Sequence, residues 1–128
     1  MKNQSVIVAD DVEGIQELMG HWLATAGHAV RCGSNGQAAS QLLKRRHFDL
    51  LITDIIMADG DGLERILELK KVQPSVRILA ISGGGRHRQA MDCLKMAKNL
   101  GAHALVLKPF NREQLVATVG LVFPPDGP

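Results

Sequence analysis

"LLITDIIMADGDG", residues 50–62, is an apolar run that carries a single carboxylate near its middle. Leu50, Leu51, Ile52 and Thr53 lead into Asp54, and Ile55, Ile56 and Met57 follow it. A short run that is apolar at consecutive positions, not alternate ones, predicts a strand covered on both faces, as in a parallel sheet. A carboxylate within such a run is costly unless another group compensates it. Asp54 therefore asks for a partner.

Four further β-type runs surround it: Ser5–Ala9, Ala29–Cys32, Arg77–Ser82 and Ala104–Leu107. Helix-type patterns separate them. Ile15, Leu18, Met19, Trp22, Leu23 and Ala26 follow the spacing of a buried helix face, and Gly27 stands where a helix end takes a left-handed residue. Asn35 can cap a second helix that turns Ala38, Ala39, Leu42 and Leu43 inward. Asp61 with Glu64 predicts a capped third helix carrying Leu63, Ile66 and Leu67, which Pro74 stops. A fourth helix spans about residues 88–100. Asn111 with Gln114 caps a fifth, containing Leu115, Val119 and Val122.

Strands alternating with helices require parallel pairing and right-handed crossovers. The fold class is α/β: a doubly wound, flavodoxin-like (βα)5 arrangement, with a five-stranded parallel sheet of order 2-1-3-4-5 and helices on both faces. Strand two, the most mixed in character with Arg31 inside it, suits an edge. Residues 1–123 are expected to form one domain and residues 124–128, Pro-Pro-Asp-Gly-Pro, a short tail; no output domain is expected after the fifth helix.

Composition narrows the function classes. The 128 residues suit one domain with a real core. A net charge of +2 is too small to imply a polyanion partner, and the basic clusters Lys44-Arg45-Arg46 and Arg86-His87-Arg88 lack aromatic company, so direct nucleic-acid binding is not expected. Cys32 and Cys93 stand alone, as packed thiols of a reducing compartment would, and the five histidines are scattered, which argues against zinc. No stretch is long enough to span a membrane and none resembles a signal-peptide core, so a cytoplasmic location is expected.

The polar residues that break the strand pattern share one property. Asp10 and Asp11 follow strand one, Asp54 follows strand three, Ser82 ends strand four and Lys108 follows strand five. In a parallel sheet these ends lie along one edge, where open α/β folds bind ligands. Three carboxylates there repel one another unless cations offset the repulsion. Lys108 supplies one positive charge, and Mg²⁺, which suits oxygen donors and uses only one or two carboxylates, would supply two more. Asp54 is then a plausible nucleophile toward phosphorus, with Asp10 and Asp11 on the ion, and with Lys108 and Ser82 on phosphoryl oxygens.

This constellation resembles the receiver domain of two-component response regulators, through "VIVADD" (6–11), "LLITDIIMADGDG" (50–62), "ILAISGGG" (78–85) and "LVLKPF" (105–110). The resemblance implies that Asp54 is the phosphoacceptor and that Asp10, Asp11, Asp54 and the backbone carbonyl of Ile56 bind Mg²⁺. It implies Ser82 as the switch hydroxyl, Lys108 as the phosphate-sensing lysine, and a cis Lys108–Pro109 bond. The partners it implies are a histidine kinase or phosphotransfer protein and a downstream protein target. It also implies a contact face of helix four, strand five and helix five where a second copy or the target can pair; on helix five the apolar spacing leaves Ala117 and Leu121 pointing outward. Met57-Ala58 stands where members often carry Met-Pro, and Leu105 stands where many carry an aromatic residue.

Two other readings use the same residues. An aspartate-nucleophile phosphohydrolase needs a second acid two residues after the nucleophile, where this chain has Ile56. A receiver-like interaction module that is never phosphorylated would not need all five polar residues. Apart from its own phosphorylation and dephosphorylation, the chain is expected to be no enzyme.

Overall fold

The computed structural model describes residues 4–10, 13–33, 36–54, 56–57, 60–82, 95, 98–99 and 101–123, with backbone alone at 13, 36–37, 39–40, 56–57, 60–65 and 82. Five parallel strands form one sheet: β1 (Ser5–Ala9), β2 (Ala29–Gly33), β3 (Leu50–Asp54), β4 (Arg77–Ser82) and β5 (Ala104–Leu107). Their spatial order is β2-β1-β3-β4-β5, the predicted 2-1-3-4-5. Continuous pairing such as Ile7↔Leu51 and Leu51↔Ile78 sets the register. A separate antiparallel ladder joins Ile56–Met57 to Gly60–Asp61 beyond β3.

Four helices are described: α1 (Glu13–Thr25), α2 (Gly36–Arg45), α3 (Gly62–Val72) and α4 (Arg112–Val122), the last being the fifth helix of the sequence reading. Helical backbone is also described at Lys95, Lys98 and Asn99, within the expected fourth helix, whose other residues lie outside the described set. The Asn35 cap likewise lies outside it, as do the side chains of the Asp61–Glu64 cap.

The sheet divides the core in two. Ile7, Ala9, Leu51, Ile78 and Ala80 pack with Leu43, Phe48, Ile66 and Leu69 beneath α2 and α3. Val6, Val8, Leu50, Ile52, Leu79 and Ile81 pack with Met19, Leu23, Leu115, Val119 and Val122 beneath α1 and α4. The consecutive apolar runs follow from this: neighbouring residues alternate between two dry faces.

Local signals account for the helix ends. α1 closes in a Schellman motif, with Gly27 at φ 100°, its N–H on the Ala24 carbonyl and the His28 N–H on the Leu23 carbonyl. Asn111 and Gln114 cap α4 reciprocally, each side chain accepting from the other's backbone N–H at 2.8 Å.

Two helix faces differ from the expected stripes. Leu18 is 43% exposed, and the buried stripe of α1 runs through Gln16, Met19, Gly20 and Leu23. The cause is close approach to β2: a Cβ on Gly20 would stand 3.2 Å from the Cys32 sulfur, so the face holding the glycine is the one that can turn inward. Cys32 itself lies on the exposed edge strand, its thiol turned toward α1 and 3.9 Å from the Gln16 carbonyl, and Cys93 lies outside the described residues. In α3, Ile66 and Leu69 are buried while Leu67 is exposed, because the helix turns positions 66 and 69 to the sheet. Among the described residues no helix is long and apolar enough to cross a membrane.

Candidate functional site

The carboxyl ends of β1, β3 and β5 bring together residues far apart in the chain. Asp10 follows β1 directly and is fully buried; Asp54 is the last residue of β3 and is 7% exposed. Lys108 follows β5 and joins them, its Nζ donating to Asp54 Oδ2 at 2.7 Å and to Asp10 Oδ2 at 3.2 Å. Burial by itself would weaken the hold of the Lys108 ammonium on its proton. The hydrogen bond and charge of Asp54, followed by those of Asp10, more than offset this and hold its pKa above the ordinary 10.5.

The surroundings fix these three groups in place. Thr53 is buried in β3 and its hydroxyl donates to the Asp54 carbonyl at 3.1 Å. Sequence reading passed over this residue, although a hydroxyl in an otherwise apolar strand was the available signal. The Lys108–Pro109 peptide is cis, as expected. Phe110, next in the chain, packs edge-on against Trp22 with centroids 6.3 Å apart, which ties the turn after Lys108 to α1.

The other candidates are placed less completely. Ser82 closes β4, and its backbone pairs with Leu107, the residue before Lys108; its side chain is outside the described set. Ile56 lies in the short ladder just past Asp54, so its backbone carbonyl is close to the site along the chain. Asp11 lies outside the described residues. Leu105 is half-buried against the α2–α3 side of the core.

A hard divalent cation fits the donors that are described. Two buried carboxylates already converge on one cation through their Oδ2 atoms, and Mg²⁺ commonly takes one or two carboxylates with waters completing its shell. Among the described residues no group of three or more His, Cys, Asp or Glu side chains is arranged to hold a metal by itself.

A family model, the response regulator receiver domain, matches residues 6–120. The chain belongs to this family. The receiver domain is 33% identical over 119 residues to the DNA-binding transcriptional regulator NtrC of Azospirillum brasilense, covering 93% of this chain and 24% of that protein. It spans about a quarter of the length of the curated relatives of this kind. Among solved structures it is similar to the receiver domain of NtrX from Brucella abortus, with a TM-score of 0.84 and 27% identity over 91% of this chain and 96% of that one. It is also similar to a response regulator from Burkholderia pseudomallei that carries a phosphorylated aspartic acid and a calcium ion (TM-score 0.79, 28% identity, 91% of this chain and 66% of that one). Receiver domains are phosphoacceptor modules of two-component signalling.

Proposed function

We propose that the receiver domain accepts a phosphoryl group on Asp54, from a histidine kinase or phosphotransfer protein or from a small phosphodonor. The observation that carries this is the pair of hydrogen bonds from Lys108 to Asp54 and Asp10 at the sheet edge. An Asp54 carboxylate oxygen attacks phosphorus, forming the O–P bond as the donor's bond to phosphorus breaks and its electron pair leaves with the donor. Lys108 moves its hydrogen bonds to a phosphoryl oxygen, and the Ser82 hydroxyl donates to another. Asp10, Asp11, Asp54 and the backbone carbonyl of Ile56 would hold Mg²⁺, whose positive charge would offset the negative charge of the phosphoryl oxygens.

The phosphorylated state then changes partner binding on the face formed by the expected fourth helix, β5 and α4. Leu121 is 84% exposed on α4, beside the exposed Ala117 and Gly120, while Leu115, Val119 and Val122 are buried on its other side. The partner is a second copy of the chain or a downstream protein target. The domain carrying out these steps is residues 1–123.

Acetyl phosphate with Mg²⁺ should add one phosphoryl group to the intact protein, read by mass spectrometry at neutral pH, and Asp54→Asn should abolish the addition. An unchanged wild-type mass beside a working receiver control would overturn the assignment.

A further inference from the structure

Two histidines lie at the sheet edge opposite the phosphoacceptor, each at the entry to an edge strand. His28 precedes β2 and His103 precedes β5. The β1–β2 ladder begins at Ser5↔Ala29, so His28 stands one position before it, opposite Gln4. The β4–β5 ladder begins at Leu79↔Ala104, so His103 stands one position before that, opposite Ile78.

In both places the imidazole takes the backbone N–H facing it. Gln4 N donates to His28 Nδ1 at 3.1 Å, and Ile78 N donates to His103 Nδ1 at 3.1 Å. The backbone then continues each contact, with Ala29 N on the Gln4 carbonyl at 3.0 Å and His103 N on the Ile78 carbonyl at 2.7 Å. The chain enters both strands from a turn with a left-handed glycine, Gly27 at φ 100° and Gly101 at φ 116°. Beside each turn a side-chain nitrogen accepts the N–H of the neighbour strand. A nitrogen that accepts from a backbone N–H carries no proton, so both rings must be neutral with the proton on Nε2.

We propose that His28 and His103 are paired, proton-released pins that fasten the two edge strands while neutral and let both go when protonated. Protonation converts each Nδ1 into a donor that faces another donor, so the bond is lost and repulsion takes its place. The consequence reaches the candidate site, because β5 begins at the His103 pin and runs directly into Lys108.

The surroundings oppose protonation at both positions. His28 is buried, its Nε2 has no hydrogen-bond partner among the described residues, and burial holds its pKa below the usual 6.5. The ionisable group bonded to that end of β1 is Asp49, whose Oδ2 accepts from Ser5 N at 2.8 Å. His103 is exposed on the surface, unlike His28; the partial desolvation it does undergo comes first, then the charges of Lys70 on α3 and Arg77 on β4, and all three push its pKa down. Lys70 lies across the entry turn, its Cε 3.3 Å from where a Cβ on Gly101 would stand. Because the folded state resists the proton that the unfolded chain accepts, the stabilisation is complete above the ordinary pKa of 6.5 and is lost as pH falls below it.

Imidazole nitrogen NMR of the full chain, with amide hydrogen exchange at Gln4 and Ile78, tests the proposal. Both histidines should show the Nε2–H tautomer and titrate below 6.5. After correction for intrinsic rates, protection of the two amides should fall by up to about tenfold per pH unit between the unfolded and folded pKa values. His28→Asn and His103→Asn, which keep an acceptor oxygen that does not titrate, should hold protection level across that range. An Nδ1–H tautomer, an ordinary or raised pKa, or the same loss of protection in the asparagine variants would overturn it. If a variant fails to fold, the wild-type tautomers and pKa values decide the question.

Discussion

Asp54 ends a strand whose other residues are buried, and the Lys108 ammonium at 2.7 Å helps make a carboxylate tolerable there. The same ammonium serves Asp10, which is fully buried, so deleting it removes a cation hydrogen-bonded to two carboxylates at once. Lys108→Met should destabilise the fold by about 3 kcal/mol at neutral pH, at the low end for breaking a buried pair because the lysine is partly open to water. Because the lysine's pKa is raised in the folded state, its stabilisation is fully present below 10.5 and is lost as pH rises through the folded value. Urea unfolding of both proteins at several pH values checks this, and a difference between them that does not change with pH would contradict it. At this scale the sequence identified Asp10, Asp54 and Lys108 as polar breaks at strand ends. It carried no sign that one nitrogen bonds both acids.

α4 shows how far an element can be read from its own residues. The Asn111–Gln114 cap and the buried set Leu115, Val119 and Val122 are both present as the spacing predicts. Its other end depends on a distant residue: Arg77 donates to the Val122 carbonyl at 2.8 Å and lies over the Phe123 ring, 5.5 Å from its centre. Leu121 faces water on the far side. Leu121→Glu should change stability by no more than about 0.5 kcal/mol, as exposed substitutions do. The same change should weaken self-association of the phosphorylated protein in analytical ultracentrifugation. A strictly monomeric wild type, phosphorylated or not, would rule out pairing between copies and leave a different protein as the partner. α1 was less legible. Its apolar residues form one broad face, and close packing of Gly20 on Cys32 goes with the Met19, Gly20 and Leu23 side of that face turning inward.

For the whole molecule, the sheet concentrates carboxylates at one edge, and binding of Mg²⁺ to that edge should stabilise the folded state by mass action. At a hundredfold excess over Kd the gain is about 2.7 kcal/mol, read as a rise in Tm. Asp11→Ala should reduce the rise. An equal rise in wild type and variant would mean that the ion binds elsewhere.

The strand and helix alternation, the sheet order and the residue types at the strand ends were all contained in the sequence. Apolar periodicity reports burial locally, and parallel pairing with right-handed crossovers then carries each strand's carboxyl end to one edge. What only the tertiary structure decided are contacts between residues far apart in the chain: Lys108 with Asp10 and Asp54, Gly20 against Cys32, and the imidazoles of His28 and His103 on the N–H groups of Gln4 and Ile78. Each depends on the distance between two backbones after packing. Local periodicity does not encode that distance, so a lysine, a glycine or a histidine acquires its role only when the strands are in place.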